Sequence, residues 1–534
     1  RLLENFREVT RRCGQVERDG KAWVSFCHKR KRDRKRPPQR TGDFEIYHRR
    51  LSSFYDPEQV FFHLFSKEPV AFWLDSSRAE PGLSRFSFMG GNDGPHSESV
   101  AYRIASTELT VTQAGKVRQS KQTIFDYLDR KLGSLRVRSD ELPFDFNCGF
   151  VGYFGYELKA ECGASNGHHS MLPDAEFVLA DRIIAFDHLE QCTYLLCFDE
   201  KGEALRAERW LGETERKLRD LPSLPEVARA ASSGPVTFRL NRSHQTYLDD
   251  IRSCQQHIKE GETYEICLTN QISASCSVDP LDLYRNLRRI NPAPYAAYIR
   301  FNEAYILSSS PERFLRAGLD GWVESKPIKG TRPRGRTPSE DDSIREELRN
   351  SSKDRSENLM IVDLLRNDLG RVCEVGSIHV PTLMQVETYE TVHQLVSTIR
   401  GRLSGGRSVI DCIRRAFPGG SMTGAPKLRT MEIMDQFERQ ARGVYSGAIG
   451  FLGFNGTADL NIVIRTIVMT QTCANIGAGG AIVALSDPES EFQEMLLKAS
   501  ALIQAIALTA HGRYEQSRYR SFEELITLKG SATL

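Results

Sequence analysis

A chain of 534 residues is long enough for two or more domains, and 40% hydrophobic with 27% charged residues is the composition of a globular protein. A formal net charge of +2 supplies no global field for nucleic acid or a membrane surface, and no run of about twenty apolar residues offers a membrane-spanning helix. The 12 cysteines have neither metal-type nor disulfide-framework spacing, which implies a reducing compartment with structural thiols.

The chain opens on Arg1 rather than Met, as a piece of a longer precursor would. Leu2, Leu3 and Phe6 share one side of a short helix expected over 1–13. The basic run 28–40 repels itself and reads as a linker, because the rest of the chain offers no basic and aromatic platform for nucleic acid. Residues 1–44 are therefore expected to be a tail and linker, and residues 45–221 an N-terminal domain. Within that domain, strands are predicted over 70–77, 86–91, 149–156, 175–180 and 192–198. Pro222, Pro225, Ser232, Ser233, Gly234 and Pro235 mark a linker over 222–240. Tyr247, Ile251, Cys254 and Ile258 then recur at helical spacing, and Gly261 stops that helix. A strand follows with Tyr264, Ile266 and Leu268 on one face, and a hairpin turns at Asn302-Glu303. Residues 241–510 form a second domain and 511–534 a tail. Long strands joined by hairpins, with helices between, predict an α+β fold with large antiparallel sheets.

The chemistry concentrates in this second domain. Pro327, Gly330, Pro333 and Gly335 break ordinary backbone rules around Lys329, which sits between Ile328 and Gly330. A lysine pressed against an apolar strand end is expensive to keep charged, so its pKa should fall, and a neutral amine is a nucleophile or base. The competing reading is an exposed lysine in a basic loop with Lys326, Arg332, Arg334 and Arg336. Glu491, Glu494 and Lys498, at i, i+3 and i+7, project from one helical face. Glu357 opens an apolar helix over 359–365, where a buried face needs no acid. Carboxylates facing each other from two helices suit Mg²⁺. Residues 417–427 form a Gly-rich, small-hydroxyl loop before a helix, and such backbone N–H groups can face an anion. Arg465 lies in an apolar strand, where an unpaired guanidinium is costly, so an anionic ligand or a buried carboxylate must meet it.

Several blocks carry a resemblance. Pro327-Ile328-Lys329-Gly330-Thr331, Ser310-Pro311-Glu312-Arg313-Phe314, the stretches 357–368 and 417–427, and Gly477-Ala478-Gly479-Gly480 with Glu491, Glu494 and Lys498 occur in the order seen in the chorismate-utilising enzymes, which this sequence resembles. Anthranilate-forming members carry alanine where Lys329 stands; a lysine there resembles the members that aminate chorismate at C4, and the wording of 261–269 is similar to plant-type ones. The resemblance implies large antiparallel sheets packed as a sandwich with helices on the outside. It implies Lys329 as the nucleophile that attacks C2 of chorismate and Glu312 as the acid that protonates the departing C4 hydroxyl. It assigns Glu357 and Glu494, with Glu491 nearby, to Mg²⁺. Gly424, Ala425, Tyr445, Arg465, Gly479 and Gly480 would bind substrate carboxylate, Lys498 the metal-anchored end, and His393 would position the ligand near the C4 hydroxyl. Glu265 disfavours the isochorismate-forming reaction, whose enzymes place a lysine there, and Lys329 disfavours anthranilate formation. No Gly-x-Cys-x-Gly elbow occurs, so a glutamine amidotransferase domain or subunit is expected to supply ammonia. Pyruvate is retained, so a separate aminodeoxychorismate lyase is implied downstream. Neither nucleic acid nor membrane is an expected partner, and the expected compartment is the plastid stroma for a plant-type member and the cytoplasm otherwise.

Overall fold

In the computed structural model, residues 43–77, 84–139, 141–225, 236–389, 392–512, 519–522 and 525–528 are described. The helix expected over 1–13, the basic run 28–40 and the centre of the expected linker lie outside the described residues. The strand-forming runs pair into two antiparallel sheets, of 14 and 12 strands. At the middle of the larger sheet the order runs Phe86–Gly91, Val70–Asp75, Tyr295–Phe301, Ala304–Ser310, Thr466–Met469, Cys473–Ile482, Glu265–Ser275. The smaller sheet begins Ile328–Pro333, Val392–Arg402, Trp322–Lys326, Arg313–Ala317, Ala458–Ile462, Ala448–Gly453, Gly149–Phe154. Both sheets draw on both halves of the chain: Leu74 pairs with Ala297, and Gly152 with Gly450. The segments 45–221 and 241–510 are therefore interleaved rather than separate bodies.

The layers follow from which faces are apolar. Between the sheets, Phe88 meets Phe146 and Phe451 edge-on at 5.4 and 6.0 Å. The other face of the larger sheet is covered by helices His244–Lys259, Pro280–Ile290 and Pro488–His511, whose Ile251, Leu283, Phe492 and Leu502 are buried there. Each such side chain contributes about 1.5–3 kcal/mol by leaving water. The fold is thus an α+β sandwich of large antiparallel sheets with helices outside. Local signals behave as expected at the hairpin, where Phe301 pairs with Ala304 and Asn302 takes a left-handed φ of 54°. Tyr264, expected to share a strand face with Ile266 and Leu268, instead lies exposed just before that strand, while the other two are buried.

Two places where the chain leaves one sheet for the other set up the site. Ala304–Ser310 belongs to the larger sheet and Arg313–Ala317 to the smaller, so Pro311-Glu312 is a crossing. Ala458–Ile462 and Thr466–Met469 make the second, with Arg465 at its end. Hydrogen bonds lace the crossings together: Ser310 Oγ donates to Ile462 O (2.6 Å), Ile462 N to Glu312 O (2.9 Å) and Ser309 N to Arg465 O (3.0 Å). The expectation that Arg465 lies within a strand is corrected accordingly. It sits between strands with φ 52°, a conformation costing roughly 1–2 kcal/mol for a residue with a Cβ.

Arg442 holds this region from beneath. Its buried guanidinium donates to Glu438 Oε1 and Oε2 (2.6 and 2.7 Å), Met422 O (2.7 Å), Cys267 O (2.8 Å) and Ser446 Oγ (3.2 Å). Glu157, from the other half of the chain, accepts from the backbone N–H groups of Arg442 and Gly443 at 2.8 and 3.0 Å. Glu438 is itself buried, and removing its partner strands a charge. Arg442→Met is therefore expected to lower stability by about 3–5 kcal/mol, read as a fall in the denaturant midpoint. An unchanged midpoint would show that the network is dispensable.

Candidate functional site

Lys329 is placed by an irregularity. In the pairing of Ile328–Pro333 with Val392–Arg402 the register shifts between Ile328 and Thr331, so Lys329 and Gly330 (φ 82°) occupy a bulge. Bulges re-aim a side chain, and this one directs Lys329 inward, leaving 10% of its side chain exposed. Its Nζ lies 2.8 Å from Glu265 Oε1 and 3.9 Å from Glu357 Oε2. This reverses the expectation of a neutral lysine. Burial disfavours the ammonium, but the Glu265 and Glu357 carboxylates outweigh it, and the pKa rises above the ordinary lysine value. The sequence neighbours Ile328 and Gly330 gave no sign of either acid.

Glu357 does not open its helix. Ser351 caps the helix Ser352–Gly370 by accepting from Asp354 N, so Glu357 lies in its second turn. The first turn, Ser-Lys-Asp-Arg, is polar and gave no apolar signal. Lys353, one turn earlier, was not singled out; its Nζ lies 4.0 Å from Glu357 Oε1 and 3.0 Å from Glu491 Oε1. On Pro488–His511, Lys498 pairs with Glu494 (2.8 Å) and donates to Gly479 O (2.9 Å). A Cβ on Gly480 would come within 3.2 Å of Glu491 Oε2, 3.5 Å of Lys498 Nζ and 3.9 Å of Glu494 Oε1, so that glycine keeps the cradle open. Glu357 Oε1 and Glu491 Oε2 are buried without hydrogen-bond partners among the described residues. Hard, orphaned carboxylate oxygens of this kind fit a divalent cation such as Mg²⁺. Among the described residues, the trio with ligand atoms all within 4.8 Å of one another is instead His257, Glu260 and Glu262 at the surface. The acids of the site are spread by Lys353, which bridges two of them.

The electrostatics separate the carboxyls. Burial pushes Glu357 up to about 7, helped by the charge of Glu265 and opposed by Lys329 and Lys353. Glu494 is also desolvated, yet Lys498 and more distant lysines hold it below the usual carboxylate range. Glu312, at the first crossing, is raised to about 7 by burial, against a hydrogen bond from Ser421 and the charges of Lys329 and Lys498. It is not a surface partner of Arg313, whose guanidinium bonds Asp459 and Glu324. Glu312 is thus an acid that keeps its proton close to neutrality.

Around these groups lie the expected anion contacts. Gly424–Ala425 is a short strand paired with Glu265 and Ile266, and Gly424 has φ 147° with Glu265 O only 2.0 Å from where a Cβ would stand. The Tyr445 ring packs over Gly477, where a Cβ would lie 2.2 Å from the ring. No carboxylate lies within ion-pair distance of Arg465 among the described residues, and burial lowers its pKa. That leaves a half-buried cation with no ion-pair partner among the described residues. His393 stands apart: its ring nitrogens are engaged by Asp341 and Thr388, each at 2.9 Å, so neither is free for a ligand in this arrangement. The structure brings together Lys329, Glu312, Glu357, Glu491, Glu494, Lys498, Gly479 and Gly480; it adds Glu265, Lys353 and Ser421.

A family model described as chorismate binding enzyme matches residues 89–504. An aminodeoxychorismate synthase from Streptomyces pristinaespiralis is 49% identical over 471 residues, covering 87% of this chain and 66% of that protein. The chloroplastic aminodeoxychorismate synthase of Arabidopsis thaliana is 47% identical over 478 residues, covering 84% of this chain and 52% of that one. The crystal structure of anthranilate synthase component I from Streptococcus pneumoniae TIGR4 matches with a TM-score of 0.67 at 28% identity, covering 84% of this chain and 97% of the other. The chain thus spans between one half and two thirds of the two aminodeoxychorismate synthases.

Proposed function

The chain belongs to the chorismate binding enzyme family, and we propose that within it this protein aminates chorismate at C4, forming 4-amino-4-deoxychorismate. The observation that carries the reading is a buried lysine, Lys329, held by Glu265 and flanked by an acid, Glu312, that keeps its proton to about pH 7. An ammonium is not a nucleophile, so Lys329 first yields a proton, and Glu265 at 2.8 Å is the acceptor. The amine then bonds to C2 while the C4–O bond breaks, and Glu312 donates the proton that makes the departing hydroxyl water. Ammonia bonds to C4, the C2–N bond breaks, and its electron pair returns to Lys329. The proton shed by the new C4 amine restores Glu312. One difficult substitution becomes two allylic ones.

Glu357, Glu491 and Glu494 would hold Mg²⁺, which when bound supplies charge neutralisation for a substrate carboxylate. Arg465, Tyr445 and the backbone at Gly424 and Ala425 would clamp the second carboxylate, since a half-buried guanidinium with no ion pair among the described residues suits a bidentate anion. The ammonia source is a glutamine amidotransferase domain or subunit, a reading supported by the additional length of the matched synthases. A lyase consumes the product, releasing pyruvate and leaving p-aminobenzoate for folate synthesis. The chloroplastic relative supports a plastid location, and no helix among the described residues is long and apolar enough to cross a membrane.

The test is to incubate the chain with chorismate, Mg²⁺ and ammonium and to convert any product with a lyase. p-Aminobenzoate is the expected outcome. Fluorescent anthranilate, or isochorismate, in its place overturns the assignment.

A further inference from the structure

Lys353 contradicts the local rules of the helix that carries it. It lies in the first turn of Ser352–Gly370, where the helix dipole opposes a cation. It also precedes Glu357 by four residues, the weaker order for a helical Lys–Glu pair. What holds it comes from another helix: its Nζ donates to Glu491 Oε1 at 3.0 Å, on Pro488–His511, while standing 4.0 Å from Glu357 Oε1. One ammonium thus sits between two of the three acids that fit a divalent cation. The Lys353 side chain is 48% exposed, against 9% for Glu357 and 3% for Glu491, so its charge reaches buried oxygens from the solvent side. The neighbouring lysines are committed elsewhere. Lys329 is held by Glu265 at 2.8 Å, and Lys498 by Glu494 at 2.8 Å and Gly479 O at 2.9 Å.

We propose that Lys353 is a displaceable stand-in for the metal, its ammonium neutralising Glu357 and Glu491 until a divalent cation takes their oxygens and sends it into water. The proposal rests on the assignment of Mg²⁺ to Glu357, Glu491 and Glu494. An ammonium and a divalent ion cannot share these oxygens without like-charge repulsion at contact range. Lysine suits the exchange, because its stem is flexible and its head is strongly hydrated, so little is lost when it returns to solvent. Glu491 Oε1 keeps a hydrogen bond from Ser486 Oγ (2.7 Å) when Lys353 leaves, so the carboxylate stays oriented for the incoming ion. The acids are then never left as bare buried charges, and the site resists Mg²⁺ by the work of expelling the lysine. Lys353 is a positioning residue, acting on the acids rather than on the reacting atoms.

Calorimetric titration of the full chain with Mg²⁺, without chorismate, tests this. Lys353→Met removes the charge and keeps the bulk of the stem. The expected result is a Kd for Mg²⁺ at least tenfold lower than wild type, and a melting temperature that Mg²⁺ raises more in the variant than in the wild type. Adding Glu357→Gln to the methionine variant should abolish the gain; a gain that survives it lies at another site and overturns the proposal. Arg355, exposed two residues further on, controls for the general field, and Arg355→Met should change the Kd less than threefold. An unchanged or higher Kd in Lys353→Met, or an equal gain from Arg355→Met, also overturns the proposal. Should the methionine variant fail to fold, Lys353→Arg keeps the charge in a planar fork that two carboxylates hold more firmly. There a Kd at least threefold higher supports the displacement and an unchanged one refutes it. If wild type and Lys353→Met alike bind no Mg²⁺, the metal assignment itself is removed and this proposal falls with it.

Discussion

Replacing Lys329 with alanine is expected to cut ammonia-dependent formation of 4-amino-4-deoxychorismate by about a thousandfold, a barrier increase of about 4 kcal/mol. The side chain is the only amine that the bulge at 329–330 turns toward Glu265 and Glu357, and without it C4 must be substituted in one step. Alanine also strands two buried carboxylates opposite each other, so the folded state loses their counter-ion. Lys329→Arg separates the two effects. A guanidinium keeps the positive charge beside Glu265 but does not give up its proton, so this variant is expected to retain stability and remain as inactive as the alanine form. The covalent role is refuted by an alanine variant that keeps a tenth or more of the wild-type rate, measured with the lyase-coupled assay at saturating ammonium.

The charge on Lys329 marks where reading from sequence stopped. Ile328 and Gly330 are its chain neighbours and argue for a desolvated, neutral amine. Its nearest acid in space, Glu265, is 64 residues away in the chain and arrives on a strand of the other sheet. Burial was foreseen correctly; the sign of the pKa shift was not, because the counter-charges come from tertiary structure. The same limit hid Arg442 and Glu438. Their i, i+4 spacing carries no sign of burial, yet both are buried, and Arg442 ties the 417–427 loop to the strand Glu265–Ser275. Arg465 was legible as a costly cation in an apolar stretch, but the crossing that ties its carbonyl to Ser309 N–H was not, because either side of it has strand-like composition. Lys353 could have been found by helical spacing from Glu357 had the helix been started at its Ser351 cap instead of its first apolar residue. The alternation of apolar residues did foretell antiparallel sheets and the Asn302-Glu303 hairpin. It carried no information on pairing between distant segments, so the Pro- and Ser-rich stretch over 222–240 read as a boundary between bodies that in fact share both sheets.

Glu312→Gln is expected to lower kcat/KM for chorismate about a hundred- to thousandfold, the range for loss of a positioned general acid. The substitution keeps the shape and the Ser421 contact while removing the transferable proton. The pH profile supplies the sharper test. Burial raises the Glu312 carboxyl to about 7, so the acid form persists below that pH and is lost above it, and activity should fall as pH rises through about 7. Glu357, raised to a similar value, works in the opposite sense, because its ionised form is the one that pairs with Lys329 and offers ligand oxygens. The wild-type profile is therefore bell-shaped, with its alkaline limb belonging to Glu312. Measured at a fixed, saturating concentration of free ammonia, so that titration of the nucleophile does not distort the curve, the glutamine variant should retain the acidic limb and lose the alkaline one. A variant whose alkaline limb survives unchanged would show that another group delivers the proton to the C4 hydroxyl. Glu312 would then be a buried carboxyl whose raised pKa is only the consequence of where the chain crosses between sheets.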